Sequence, residues 1–272
     1  MREILLALGR KPNRWQQLWL ISLFIVVTGS FLVLGHLLQV GFRLSPLVIH
    51  GAGWIIWFSW QGHFFALNRK RYLRRYQANA YQRAFYRDIL FGVSFGVCQM
   101  LRPAYYGLLT LQIGLSSVWL LIAGVLCVVV GLALLYQGFK TIGIAGAGFL
   151  FEYRNGSPLL VQQRIYVYMR HPLFVGGVVA SLGIALCFAE GLPLALALFN
   201  ILVLPVYGWL EDIRLKRVFG CSYARYCSKV GGIVPHPNLL KVSLRKLAKA
   251  QLTIALWISR RLHELRNNQV YD

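Results

Sequence analysis

Residues 118–137 read VWLLIAGVLCVVVGLALLYQ and hold no charged side chain. At about 1.5 Å of rise per residue, a helix of this length spans the roughly 30 Å hydrocarbon core of a bilayer. Lipid supplies no partner for a bare peptide group, so such a segment satisfies its own backbone as a helix. Five further apolar segments flank it: residues 18–40, 46–67, 89 to about 113, 172–189 and 192–210. The third of the six spans contains Arg102-Pro103, and proline removes a helical donor, so a kink or break is expected there. The last two form a helical hairpin with Glu190-Gly191 at its turn. Charged residues are 14% of the chain and hydrophobic ones 57%, whereas a soluble domain carries about a quarter charged residues. The fold expected is an all-α integral membrane protein with about six transmembrane helices.

The basic residues order these spans. With six spans, the N-terminal segment, residues 68–88, residues 140–171 and the C-terminal tail share one side. Those four regions hold 27 of the 29 lysines and arginines, leaving Arg43 and Arg102 on the other. Positive charge is retained on the cytoplasmic side during insertion, so both termini are expected there. The formal charge of +21 is therefore a topology signal that also favours anionic lipid headgroups. Spread along a membrane surface, it argues against a nucleic-acid interface. The run beginning at Leu18 is too long for the apolar core of a cleaved signal and lacks a small-residue cleavage site. Cys98, Cys127 and Cys187 lie within spans, and Cys221 and Cys227 have neither a zinc spacing nor a histidine partner, so no metal site is expected.

Polar chemistry concentrates on either side of the hairpin. Before it stands Tyr166-Val167-Tyr168-Met169-Arg170-His171-Pro172-Leu173-Phe174-Val175-Gly176. Pro172 suits the first turn of a helix, where its missing N–H leaves nothing unpaired. After the hairpin come Glu211-Asp212, in a chain with eight acidic residues. On a continuing helix Glu211 shares a face with Leu215, Val218 and Phe219, pointing into the bundle. Arg214 and Arg217 are expected to face water, and Asp212 to pair with Lys216 one turn on. Gly220 is placed to end the helix in a left-handed turn. Because the hairpin goes out and back, Arg170-His171 and Glu211-Asp212 return to the same face, with Tyr166, Tyr168, Phe174, Tyr207 and Trp209 around them.

This ordered set resembles the isoprenylcysteine carboxyl methyltransferase superfamily, which includes phospholipid N-methyltransferases and methanethiol S-methyltransferases. Its pattern, R-H-P-x-Y-x-G followed by E-E-x-x-L-x-x-x-F-G-x-x-Y-x-x-Y, is met by Arg170, His171, Pro172, Phe174 and Gly176, then Glu211, Asp212, Leu215, Phe219, Gly220, Tyr223 and Tyr226. The chain departs from it in carrying Phe174 for tyrosine, Asp212 for the second glutamate, Arg164 where relatives often have glycine, and Gly231 for a proline. The resemblance covers roughly residues 162–235. It implies S-adenosylmethionine as cofactor, held by Tyr166, Tyr168, Arg170, His171, Pro172, Phe174, Gly176 and Glu211, and a lipophilic or small thiol, carboxylate or amine acceptor. Arg170 or His171 would bind the cofactor carboxylate, Glu211 its ammonium or ribose hydroxyls, and the aromatics its sulfonium or adenine. It names no catalytic residue. Sterol-reductase-like enzymes using NADPH share a related layout, which Tyr226-Cys227 fits loosely, and nurim-like membrane proteins are a non-enzymatic alternative.

The chain thus divides into a four-helix membrane region (1–140), a methyltransferase-like region (141–237) and a basic tail (238–272) whose leucines and isoleucines line one face of a helix on the membrane surface. The glycine string Gly143-Ile144-Ala145-Gly146-Ala147-Gly148 follows a membrane helix rather than a strand, so it reads as close helix packing and not as a dinucleotide loop.

Overall fold

The computed structural model describes residues 1–64, 68–110, 118–153 and 160–235. The tail helix expected over 238–272 and the last residues expected in the second and third spans lie outside the described residues. Helices stand at all six expected positions: α2 (Arg14–Phe42), α3 (Pro46–His63), α6 (Leu90–Thr110), α7 (Val118–Ala147), α8 (Pro172–Phe188) and α9 (Gly191–Phe219). Shorter helices α1 (Arg2–Ala7), α4 (Arg69–Tyr76), α5 (Ala80–Ala84) and α10 (Cys221–Cys227) complete the described chain, and a π-helical turn (Phe85–Ile89) leads into α6. No strand occurs among the described residues. One isolated parallel bridge joins Met169 to Gly231.

Three helical runs, Arg14–Phe42, Val118–Tyr153 and Gly191–Phe219, are long and apolar enough to cross a bilayer, and Pro172–Phe188 is apolar but shorter. They expose Ile25, Val26, Val33, Val125, Leu126, Val129 and Leu202, an outer surface that suits hydrocarbon rather than water. The helix starts have local causes. Asn13 Oδ1 accepts the Gln16 amide at 2.8 Å at the head of α2, and Pro46 and Pro172 occupy the first turns of α3 and α8. Of the kink or break expected at Arg102-Pro103, the break is absent: α6 continues through Pro103. Arg102 itself is buried in the bundle against α2, where a Cβ on Gly35 would lie 2.6 Å from its Nη2.

The tightest helix pairing is α7 on α8. Gly124, Gly131 and Gly138 recur every seven residues of α7, opposite Gly176 and Gly183 of α8. A Cβ on Gly131 would lie 2.5 Å from Ala180 N, and one on Gly183 would lie 2.6 Å from Gly124 O. Small residues on a 3.5-residue period keep two helices in backbone contact along their length, the packing available where lipid supplies no hydrophobic drive between helices. The later string Gly143–Gly148 has a different job. Gly143, at φ 66°, kinks the end of α7, and Gly148 packs against Ile4 while its carbonyl accepts the Tyr81 hydroxyl at 3.1 Å.

One end of the bundle carries a cap. Ile4, Leu5 and Leu8 are buried among Phe64, Tyr72, Tyr81, Phe85, Leu150 and Tyr153, so the N-terminal segment, residues 68–89 and residues 145–153 meet there. The chain after Gly220 (φ 59°) joins the same end through Tyr223, Tyr226 and Val230. Three of the four basic regions are thereby gathered at one end of the helices, together with the start of the fourth. Deeper in the bundle, Asn200 of α9 ties three helices. Its Oδ1 accepts Trp54 Nε1 at 3.0 Å and stands 2.9 Å from His50 Nε2, and its Nδ2 donates to Ser181 Oγ at 3.2 Å.

Candidate functional site

The segment before α8 is held by backbone contacts. Arg164 begins a 3-10 turn at φ 53°. Tyr166 O accepts the Tyr226 hydroxyl at 2.5 Å, and Arg170 N donates to Gly231 O at 2.9 Å. This pins Arg170 and His171 between the start of α8 and the turn after α10. On the opposite side, α9 is 29 residues long, about 43 Å at helical rise, so its last turns extend past a 30 Å hydrocarbon core. Those turns carry Glu211, Asp212 and Arg214.

His171 is wedged between two carboxylates. Its Nδ1 lies 2.8 Å from Glu211 Oε2 and its Nε2 3.1 Å from Asp212 Oδ1. A carboxylate only accepts, so both ring nitrogens serve as donors and the ring is an imidazolium. Burial alone lowers its pKa, but the hydrogen bonds to Asp212 and Glu211, with their charges, outweigh it and raise the value to about 9. The network continues outward. Arg170 Nη2 meets Asp212 Oδ2 at 2.9 Å, and Tyr223 Oη donates to Asp212 Oδ1 at 2.6 Å. Arg214 Nη2 donates to Glu211 Oε1 at 2.6 Å, and its Nε stands 3.6 Å from Glu152 Oε1. Arg69 closes the row by donating to the Glu152 carbonyl. Burial and the bond to Asp212 push the Tyr223 phenol up, so it stays a donor. Four cations thus alternate with three carboxylates, which leaves the cluster one positive charge in excess.

The cluster borders a cavity of about 170 Å³. Of the residues expected at the site, Tyr166, Arg170, His171, Phe174 and Glu211 line it. Tyr168, Pro172 and Gly176 are placed elsewhere: Tyr168 is 39% exposed, Pro172 starts α8, and Gly176 lies in the α7–α8 seam. Trp209, expected in the aromatic surround, is 62% exposed. Phe174 stacks on Tyr207 with ring centroids 3.6 Å apart, and Trp57 lies beside the pair, its ring centroid 5.4 Å from Tyr207 and 6.2 Å from Phe174. Phe174 supplies a ring face here, a role that its missing hydroxyl does not affect.

Two expectations are corrected. Asp212 does not pair with Lys216 but holds His171, Arg170 and Tyr223, because the chain turns back after Gly220 and covers that side of α9. Arg214 does not face water; residues 149–153 cover its side, so it is buried between Glu152 and Glu211 with its guanidinium 4.6 Å over the Phe149 ring. Glu152 and Arg69 come from segments that no motif singles out. The one sequence signal for Glu152 is scarcity, since an acidic residue is rare in this chain and stands here in a basic region.

The geometry defines a helical membrane protein with a charged, aromatic-walled cavity at one end. Residues 119–222 match the family model for phospholipid methyltransferase, consistent with the superfamily that the Arg170–Gly176 and Glu211–Tyr226 motifs resemble. The matched span holds Glu152, Arg170, His171, Glu211, Asp212 and Arg214. No curated protein and no solved structure matches the chain.

Proposed function

We propose that this protein is an S-adenosylmethionine-dependent methyltransferase of the membrane, acting on a lipophilic or small acceptor from a cytoplasmic site. The observation that carries the reading is the cavity itself, whose lining residues Arg170, His171, Phe174, Tyr207 and Glu211 fall within the methyltransferase-family match. The donor set fits the cofactor's chemistry. Arg170 offers a cation for a carboxylate, Tyr166 and Tyr226 offer ring faces, and apolar Phe149, Phe151 and Leu160 line the rest. The bound cofactor would supply an electrophilic methyl group. Transfer is an in-line displacement, so the chain's part is alignment and exclusion of water.

In this reading the motif residues divide the work. His171 spends both nitrogens on Glu211 and Asp212, so it organises the carboxylates and Arg170 is the better partner for a cofactor carboxylate. Six spans with both termini cytoplasmic would set this end of the bundle against the cytoplasm, where a water-soluble cofactor and a lipid acceptor could both reach it. Titration calorimetry of the detergent-purified protein tests the reading. Binding of S-adenosylmethionine or S-adenosylhomocysteine is expected. Binding of NADPH instead would move the protein to the reductase reading, and binding of neither to the non-enzymatic one.

A further inference from the structure

We infer that Glu152 is the carboxylate that receives the ammonium group at the amino-acid end of the cofactor, an assignment that rests on the methyltransferase reading above. Most carboxylate oxygens of the cluster are already engaged. Glu211 accepts from His171 and Arg214, and the Tyr207 hydroxyl reaches it as well. Asp212 accepts from His171, Tyr223 and Arg170. Both are filled by the protein itself. Glu152 is not: it lines the cavity, is 5% exposed, and its Oε2 has no hydrogen-bond partner. Arg69 Nε stands 4.0 Å from that oxygen, within ion-pair range but too far to donate.

A buried carboxylate oxygen with no donor is costly, and Glu152 is one of the residues that line the cavity. The ligand group must be a donor. The surroundings narrow it further, because Arg170, the cation proposed above for the cofactor carboxylate, lines the same cavity. A carboxylate and a guanidinium on one cavity mirror an α-amino acid zwitterion, whose ammonium and carboxylate sit side by side. A ribose diol needs only an acceptor and gains nothing from the neighbouring cation.

Titration calorimetry with two ligands separates these cases. S-adenosylhomocysteine carries the amino-acid end, and 5′-deoxy-5′-methylthioadenosine keeps the ribose and adenine but lacks it. In Glu152→Gln, S-adenosylhomocysteine is expected to weaken by about tenfold to about a hundredfold, the range for one charge-assisted hydrogen bond, while methylthioadenosine is unchanged. Equal weakening of both ligands, or of neither, overturns the assignment. Should Glu152→Gln not fold, the unmodified protein is titrated with S-adenosylhomocysteine and its deaminated analogue. A loss of about tenfold or more without the amine supports the inference, and equal affinity overturns it. Absence of S-adenosylhomocysteine binding to the unmodified protein would instead overturn the methyltransferase reading, and this inference with it.

Discussion

The imidazolium of His171 makes the stability of the site end depend on pH. Its pKa is raised from 6.5 to about 9 in the folded protein. Between those values the folded chain keeps a proton that the unfolded chain has released. The stabilisation is therefore complete below about pH 6.5 and is lost as pH rises through about 9. Each pH unit between the two values corresponds to about 1.4 kcal/mol, so the whole effect is roughly 3 kcal/mol. His171 is 3% exposed, so salt should screen the effect little. The charged and titratable groups facing it are Glu211, Asp212, Arg170, Arg214, Tyr207 and Tyr223, and a His171→Gln comparison cancels their own titrations to first order. The assay is thermal or denaturant unfolding of the detergent-purified protein at constant ionic strength, from about pH 6 to about pH 10. The unmodified protein should lose stability across that window, most steeply above about pH 7. His171→Gln should start lower and change less. Parallel pH profiles for the two proteins would refute the imidazolium assignment, and so would a loss in the unmodified protein already complete by pH 6.5.

Three further outcomes are expected. Asp212→Asn and Glu211→Gln should weaken S-adenosylhomocysteine binding or stability by similar amounts, about 1.5–3 kcal/mol each, since both carboxylates hold His171 and an arginine; calorimetry and unfolding on both variants check this, and a near-neutral Asp212→Asn would contradict the geometry. Arg164 adopts φ 53°, a conformation that costs a non-glycine residue about 1–2 kcal/mol; Arg164→Gly should therefore raise unfolding stability by up to about 1 kcal/mol after the entropy gained by the unfolded chain, and a measured decrease would show that the Arg164 side chain contributes more than the strain removes. For the six-span topology, cysteines placed at positions 43 and 75 in a background without reactive native cysteines should be labelled from opposite sides of the membrane, and labelling of both from one side would sink it.

How much of this was legible beforehand follows from the range of the forces involved. Apolar runs of bilayer length mark where helices must lie, since in lipid each backbone has to satisfy itself. Helices at all six positions, the start of α8 at Pro172 and the end of α9 before Gly220 were accordingly readable in order along the chain, while the hairpin turn expected at Glu190-Gly191 falls a residue earlier, at Ala189-Glu190, with Gly191 opening α9. So was the convergence of Arg170-His171 with Glu211-Asp212, because a hairpin that goes out must come back. Tertiary structure alone decided what covers each side of α9. A helical wheel puts Asp212 about 100° from Glu211, but it cannot say that Tyr223 and Arg170 fill that direction, or that residues 149–153 enclose Arg214. Glu152 and Arg69 lie far from the motifs in sequence and enter the site only because the cap packs there. The glycines of α7 and α8 are likewise spaced by sequence, yet their partnership depends on which two helices meet. Local hydrogen bonding and burial set the elements, whereas the pairing of charges across remote segments is determined by the packing of the whole chain.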